Sequence, residues 1–333
     1  MSKIEKKSPY DPELEQFLEQ MALVGQTADS SLDFLSMMRK NLKAFRLTDE
    51  QLHRNGTIHS EERKIPGPDG APEISVLICR STTSAAIVSN ELLPCIYFIH
   101  GGGMVAGDNR FTLDKLLDWI VEFNVVIVSV EYRLAPEHPH PAPADDCYAG
   151  LLWTAAHAQE LGIDVSQLSV AGFSAGGGLA AAIILMARDR GKPSLQGQLL
   201  FSPMLDDRDQ TYSTHQFEAM VIWGRQANLL GWTALLSTQR GSPDVSPYAV
   251  PSRAQDLDNL PPTFIDVGSA EIFRDEDVDY AQRIWQAGGS AELHVWSGGF
   301  HGFALAVPDA AISKQANEAS KTWYRRLLAA HKK

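Results

Sequence analysis

A serine bracketed by glycines is the first feature of this sequence that could carry out chemistry. Gly172-Phe-Ser174-Ala-Gly176 follows the apolar run Leu168 to Ala171 and leads into a helical pattern. On a sharp turn between a strand and a helix, such a serine stands clear of the sheet and can attack a carbonyl carbon. Gly and Ser are common residues, so the pattern alone is weak evidence. The strand before it and the helix after it make a nucleophile turn the favoured interpretation.

A second glycine motif could stabilise the charge that such an attack creates. His100-Gly101-Gly102-Gly103 directly follows the apolar run Cys95 to Ile99. Consecutive glycines let the main chain approach a ligand closely and direct N–H groups at a developing oxyanion. The backbone N–H after Ser174, at the start of a helix, can serve the same purpose. The two motifs together predict acyl transfer through a serine.

A nucleophilic serine needs a general base and a carboxylate that orients it. Among ten histidines, His301 lies in a glycine-rich loop after the last predicted strand, where a parallel sheet exposes its site. Glu271 lies in the loop after the preceding strand and is the favoured acid. Asp275, where the next helix begins, is its main competitor. The order serine, acid, histidine is that of α/β-hydrolases.

The elements that must position these residues alternate along the chain. After two amphipathic helices in the first 50 or so residues, the pattern predicts a hairpin and then short apolar strands separated by helices. Strands that are apolar on both faces indicate a mostly parallel sheet covered by helices on both sides, an α/β fold. The predicted strands are Thr57–Ile65, Ile74–Arg80, Cys95–Ile99, Val125–Val130, Leu168–Ala171, Leu199–Phe201, Thr263–Val267 and Leu293–Trp296.

Four segments are predicted along the chain. Residues 1–55 form N-terminal cap helices, 56–205 the first part of the core, 206–240 a cap insertion and 241–333 the second part of the core. The insertion is rich in Trp, Phe and Met. It is interpreted either as a packed helix pair or as a lid over a pocket, and a lid must also pack.

Composition excludes several classes of function. The 333 residues hold 29 Lys and Arg against 41 Asp and Glu, a net charge of −12 that disfavours nucleic acid and anionic lipid as partners. The three cysteines fit neither a metal site nor a disulfide framework. Without a signal peptide or a long apolar run, we expect a soluble, cytoplasmic protein with no membrane insertion. We expect no metal site.

Taken together, these motifs resemble the hormone-sensitive-lipase-type esterases, the bacterial family IV of the α/β-hydrolases. The resemblance covers nearly the whole chain and also includes Tyr132-Arg-Leu-Ala-Pro-Glu137 and Pro203-Met-Leu-Asp-Asp207. It implies an eight-stranded α/β-hydrolase sheet with a helical cap. It also implies a carboxylesterase for short to medium acyl esters that works through an acyl-enzyme without a cofactor, and a homodimer is possible. The residues to which it assigns roles are Ser174 (nucleophile), His301 (base), Glu271 (acid) and the N–H groups of Gly101, Gly102 and Ala175 (oxyanion hole). From their position just past the glycine motif or within the insertion, Met104, Val105, Phe217 and Trp223 are candidate walls of the substrate pocket.

Two departures from the family pattern concern the site itself. Phe173 stands where the family usually has Asp beside the nucleophile, and Glu271 stands where it usually has Asp as the acid. The same machinery is also compatible with an amidase, a lactonase or an acyltransferase. A non-catalytic receptor is the remaining alternative, and His301 disfavours it because receptors related to this family lack that histidine.

Overall fold

The computed structural model describes residues 6–26, 33–83, 91–218 and 222–331. Within these ranges the strands are β1 (Ile58–Ile65), β2 (Ile74–Ser81), β3 (Leu93–Ile99), β4 (Val126–Glu131), β5 (Ile163–Phe173), β6 (Gly197–Phe201), β7 (Thr263–Gly268) and β8 (Ala291–Trp296). They form one eight-stranded sheet in the order β1-β2-β4-β3-β5-β6-β7-β8. β1 pairs antiparallel with β2 and β2 antiparallel with β4, and every other neighbouring pair is parallel.

Helices precede the sheet, connect its strands and follow it. Asp11 precedes the first helix, and its carboxylate accepts the N–H of Glu13, which has no partner within the first turn. The helices are α1 (Pro12–Gln26), α2 (Phe34–Lys43), α3 (Asp49–His53), α4 (Asp114–Glu122), α5 (Ala142–Ala156), α6 (Ala158–Leu161), α7 (Ala175–Arg190), α8 (Tyr212–Gln216), α9 (Arg225–Leu236), α10 (Arg274–Gln286), α11 (Phe303–Ala306) and α12 (Ala311–His331).

The sheet separates two hydrophobic cores because side chains alternate along each strand. In β3, Cys95, Tyr97 and Ile99 join the core beneath α5, α7 and α10. Ile96 and Phe98 join the core on the opposite face, beneath α4 and α12. Burial on both faces explains why this strand is apolar at consecutive positions rather than at every second one.

The parallel strands bring distant parts of the sequence to one edge of the sheet. β3, β5, β6, β7 and β8 are consecutive neighbours and run in the same direction. The loops that follow their carboxyl ends therefore lie side by side. Four of these loops contain the predicted site residues: the glycine motif at 100–103, the serine motif at 172–176, Glu271 and His301.

The mostly parallel eight-stranded sheet with helices on both faces, predicted from the sequence, is confirmed. One large helix was not predicted: α12 spans 21 residues and buries Trp323 and Tyr324 against the sheet. The division into two core parts and two cap segments stays a prediction, and residues 1–5, 27–32, 84–90, 219–221 and 332–333 lie outside the described part. Among the helices described here, none contains an apolar stretch of the length that spanning a bilayer requires.

Candidate active site

Ser174 occupies a strained turn between β5 and α7. Its φ of 57° and ψ of −121° lie in a region that a residue with a side chain rarely adopts. The turn is held because the Ser174 N–H donates to the carbonyl of Phe201 at 2.8 Å. A glycine is needed at the second position of α7, since a Cβ on Gly176 would lie 2.1 Å from the carbonyl oxygen of Ile99. The close approach of β3 and α7 thus explains the second glycine of the serine motif.

Three side chains from three loops form a continuous hydrogen-bonded chain. His301 Nε2 lies 2.9 Å from the hydroxyl oxygen of Ser174. On the other side of the ring, His301 Nδ1 lies 2.6 Å from Glu271 Oε2. All three side chains are buried, with exposed fractions of 3%, 5% and 0% for the serine, histidine and glutamate. A carboxylate on Nδ1 favours the tautomer whose Nε2 can accept the serine proton.

Glu271 is held by two further donors at its other oxygen. Oε1 accepts the N–H of Gly268 at 2.9 Å and the hydroxyl of Ser202 at 3.1 Å. With all these contacts satisfied, the carboxylate has one orientation. Asp275, the competing candidate, lies elsewhere: it accepts the N–H of Ser213 at 2.7 Å and pairs with Arg274. The structure therefore brings Glu271, and not Asp275, to His301.

Aromatic rings fix the plane of the histidine. The Phe273 ring meets His301 edge to face, with centroids 5.1 Å apart, and the Phe173 ring lies tilted at 5.4 Å. Phe173 also reaches the loop after β3 (residues 100–107), called the oxyanion loop for its predicted role, because a Cβ on Gly101 would lie 3.1 Å from the Cδ1 atom of Phe173. The residue that replaces the usual Asp thus packs between the histidine and this loop.

Two of the three candidate oxyanion donors, Gly101 and Gly102, lie in the loop after β3, and the third, Ala175, is the first residue of α7. In the described part of the chain, the N–H groups of Gly102 and Ala175 have no acceptor, whereas the N–H of Gly101 is 3.4 Å from Thr112 Oγ1. The Gly102 carbonyl accepts the N–H groups of Val105 and Ala106, which closes the turn. Two of the three predicted donors are thus uncommitted, and their role stays a prediction.

Known proteins with this architecture give the site its context. A family profile described as the alpha/beta hydrolase fold matches residues 96–305. The chain is 33% identical over 311 residues to carboxylesterase NlhH of Mycobacterium tuberculosis, which covers 90% of this chain and 92% of that protein. A solved bacterial heroin esterase has a TM-score of 0.86 at 38% identity and covers 96% of this chain and 98% of its own. An esterase of Pyrobaculum calidifontis has a TM-score of 0.83 at 29% identity and covers 96% and 99%.

This chain belongs to that α/β-hydrolase family. The sequence-based identification as a hormone-sensitive-lipase-type esterase, and hence as an enzyme, is confirmed. Membership in the α/β-hydrolases explains why the site lies at the carboxyl edge of the sheet, where loops after several strands converge.

The four predicted pocket residues are all buried, but they lie in different surroundings. Trp223 lies directly on the oxyanion loop of this hydrolase, because a Cβ on Gly103 would be 2.2 Å from its Cη2 atom. Met104 and Val105 belong to the loop itself. Phe217 follows α8, where the Arg274 guanidinium lies 6.0 Å from its ring centroid. Contact of these residues with substrate stays a prediction.

Two polar residues beside the site were not identified from the sequence. Ser202 holds the acid, and Thr112 contacts the first glycine of the oxyanion loop. Ser202 follows β6 directly, and that position at the site edge was the available signal. Thr112 lies beyond the loop and carried no signal, because only the folded chain brings it back to Gly101.

The cysteine thiols are poor rival nucleophiles. All three are buried, and burial raises the pKa of Cys79 to about 12 and the pKa of Cys147 well above its usual value. A thiol in this environment stays protonated at neutral pH and is unreactive. The buried Ser174 differs because it has His301 as an adjacent base.

Proposed function

We propose that this protein hydrolyses carboxylic esters with short to medium acyl chains, using Ser174, His301 and Glu271 as a catalytic triad. The observation that carries the proposal is the hydrogen-bonded chain from the serine hydroxyl through the imidazole to the carboxylate, with distances of 2.9 and 2.6 Å. Family membership supports the ester as the substrate class.

In the first half of the reaction, Ser174 Oγ attacks the ester carbonyl carbon while His301 Nε2 takes the hydroxyl proton. Glu271 stabilises the imidazolium that forms. The tetrahedral intermediate then expels the alcohol, which leaves with the proton from His301. The serine ester of the acid remains on the enzyme.

In the second half, water attacks the acyl-enzyme with His301 again as base, and the acid is released with Ser174 restored. In both halves, the N–H groups of Gly102 and Ala175, joined by Gly101, would stabilise the oxyanion. Each such donor stabilises the transition state by on the order of 3 kcal/mol. The mechanism requires no metal or organic cofactor.

Substrate size would be limited by the segments above the oxyanion loop. Residues 1–55 and 206–240 are proposed to form the cap, and Trp223 against Gly103 supports this assignment for the second segment. With Met104, Val105 and Phe217, Trp223 would line an apolar pocket suited to small acyl groups.

The test combines a substrate panel with an active-site label. We expect p-nitrophenyl esters of graded chain length to be hydrolysed fastest at short to medium length, and matched amides and lactones far more slowly. A phosphonylating agent followed by peptide mapping is expected to label Ser174, and Ser174→Ala is expected to abolish both turnover and labelling. Label on another serine would overturn the assignment, and preferential turnover of amides or lactones would overturn the esterase proposal.

A further inference from the structure

The side chain of Arg39, in helix α2, contacts the oxyanion loop. Arg39 Nε donates to the carbonyl of Val105 at 2.7 Å, and one of its terminal nitrogens donates to the carbonyl of Ala135 at 3.1 Å. The same guanidinium binds both carboxylate oxygens of Glu137, each at 2.7 Å. The N–H groups of Arg39 thus bind Val105 in the loop after β3 and two residues, Ala135 and Glu137, in the loop after β4.

The loop that Arg39 holds is conformationally strained. Gly102, Gly103 and Met104 have φ angles of 113°, 65° and 63° in succession. For Met104, whose Cβ disfavours this region, the conformation is costly and persists only where the surroundings impose it. An oxyanion hole works through donors whose positions are fixed before the reaction. The strained turn therefore needs external restraints.

Hydrogen bonds from outside the loop supply these restraints. The Met104 carbonyl accepts the N–H of Ala135 at 2.9 Å. The next carbonyl, that of Val105, accepts Arg39 Nε, while the N–H of Val105 closes the turn onto Gly102. The carbonyl of Ala135 accepts a hydrogen bond from Arg39. Arg39 thus binds the strained turn directly and also binds the residue that restrains it.

The ion pair between Arg39 and Glu137 lies at the protein surface. The Arg39 and Glu137 side chains are 34% and 54% exposed, and exposed ion pairs contribute at most about 1 kcal/mol to folding. Arg39 nevertheless lowers the pKa of the Glu137 carboxyl to about 2, which keeps the pair ionised. None of the α2 side chains is fully buried; Leu35 and Met38 are half-buried against the core, and the hydrogen bonds of Arg39 add polar contacts that orient the helix.

We infer that Arg39 is a positioning residue that holds the oxyanion loop in its catalytic conformation, so that the N-terminal segment takes part in transition-state stabilisation. The inference rests on the proposed function. It predicts a defect in kcat rather than in KM, because a displaced oxyanion donor weakens binding of the transition state and not of the ester.

The decisive variant is Arg39→Ala. We expect kcat for a p-nitrophenyl ester to fall about tenfold or more, with KM changed less than about threefold. The inhibition constant of a trifluoromethyl ketone, which forms a tetrahedral adduct on the serine, is expected to rise in proportion to the loss of kcat/KM. Arg63→Ala on β1, whose guanidinium pairs with Glu61 and Glu160, is the matched control, and we expect it to keep wild-type kinetics.

Chemical rescue separates positioning from a general structural defect. A cavity of about 620 Å³ lined by Arg39, Glu137 and Ala106 opens beside the guanidinium. Free guanidinium ion can therefore reach the space left by Arg39→Ala, and we expect guanidinium chloride, but not sodium chloride at equal ionic strength, to restore part of kcat. Arg39→Lys, which keeps the charge and loses the fork geometry, is expected to fall between wild type and Arg39→Ala.

Three results would overturn the inference: an unchanged kcat in Arg39→Ala, a loss confined to KM, or a kcat loss of equal size in Arg63→Ala. If Arg39→Ala does not fold, Arg39→Lys and Glu137→Gln decide, and wild-type kcat in both would count against it. A wild-type protein that hydrolyses no ester would instead refute the proposed function.

Discussion

At the scale of single residues, the site depends on how completely each polar group is satisfied. One carboxylate oxygen of Glu271 binds His301, and the other binds Gly268 and Ser202. A side chain of different length at position 271 would therefore break part of this set of contacts. The usual Asp of the family is one methylene shorter and could not reach all three partners from this backbone. Glutamate in this chain is therefore matched to the position of its own loop.

Replacing Glu271 separates the two carboxylates that the sequence left in competition. We expect Glu271→Gln to lower kcat by about 10³- to 10⁴-fold, because the amide no longer stabilises the imidazolium and favours the wrong tautomer. Asp275→Asn is the matched control and is expected to keep kcat within about threefold, since Asp275 binds Ser213 and Arg274 instead. Steady-state kinetics on a p-nitrophenyl ester measure both, and the reverse ranking would make Asp275 the acid.

At the scale of elements, the described part of the 206–240 segment contacts the oxyanion loop at Gly103. Trp223, which precedes α9, packs on Gly103, and α9 itself approaches the same residue, because a Cβ on Gly231 would lie 2.9 Å from the Gly103 carbonyl oxygen. The loop is thus held by Arg39 of α2 from one segment and by Trp223 and α9 from the other. Both segments predicted to form the cap contact the loop whose donors they would cover.

Adding one methyl group to this contact tests its importance. Gly103→Ala places a Cβ 2.2 Å from Trp223 and also strains a residue with φ of 65°, so we expect kcat to fall at least about tenfold. Gly241→Ala is the control, since Gly241 has φ of 77° and open space around it. The double variant Gly103→Ala/Trp223→Leu is expected to recover part of the loss, and the absence of any recovery would contradict a steric cause.

Local patterns predicted the parts of this molecule that depend on local sequence. The hairpin turn and the apolar runs located the eight strands of the described sheet. The glycine-bracketed motifs led to Ser174 and His301, which the structure brings together. Helix α12 was missed although Ile312, Ala316, Trp323 and Tyr324 follow a helical spacing, because polar residues interrupt that stripe. Ser202 was overlooked although it directly follows β6. Arg39 could not be assigned, because no sequence pattern marks it and its partner Val105 lies 66 positions away.

At the scale of the whole molecule, acidic side chains are concentrated behind the site. Asp277 on α10 is fully buried, and neither of its carboxyl oxygens has a hydrogen-bond partner in the described part of the chain. Burial raises its pKa well above the usual value, and the nearby carboxylates of Glu276, Glu271 and Asp266 raise it further. Burial likewise raises the pKa of Glu276. Folding therefore favours the protonated form of these groups.

This arrangement predicts how stability changes with pH. Because the pKa of Asp277 is higher in the folded than in the unfolded state, the folded state holds a proton that the unfolded state releases. Its contribution to stability is fully present below the unfolded pKa of about 4 and declines as pH rises toward the folded pKa, by up to about 1.4 kcal/mol per pH unit. Asp277→Asn cannot titrate, so we expect it to be more stable than wild type at pH 8, with the difference shrinking toward pH 5. Urea unfolding across this range measures the difference.

Asp309→Asn, whose carboxylate is almost fully exposed, is the control and is expected to follow wild type. If the curves for Asp277→Asn and wild type run parallel, the Asp277 carboxyl is ionised in the folded protein and a partner for its charge must exist.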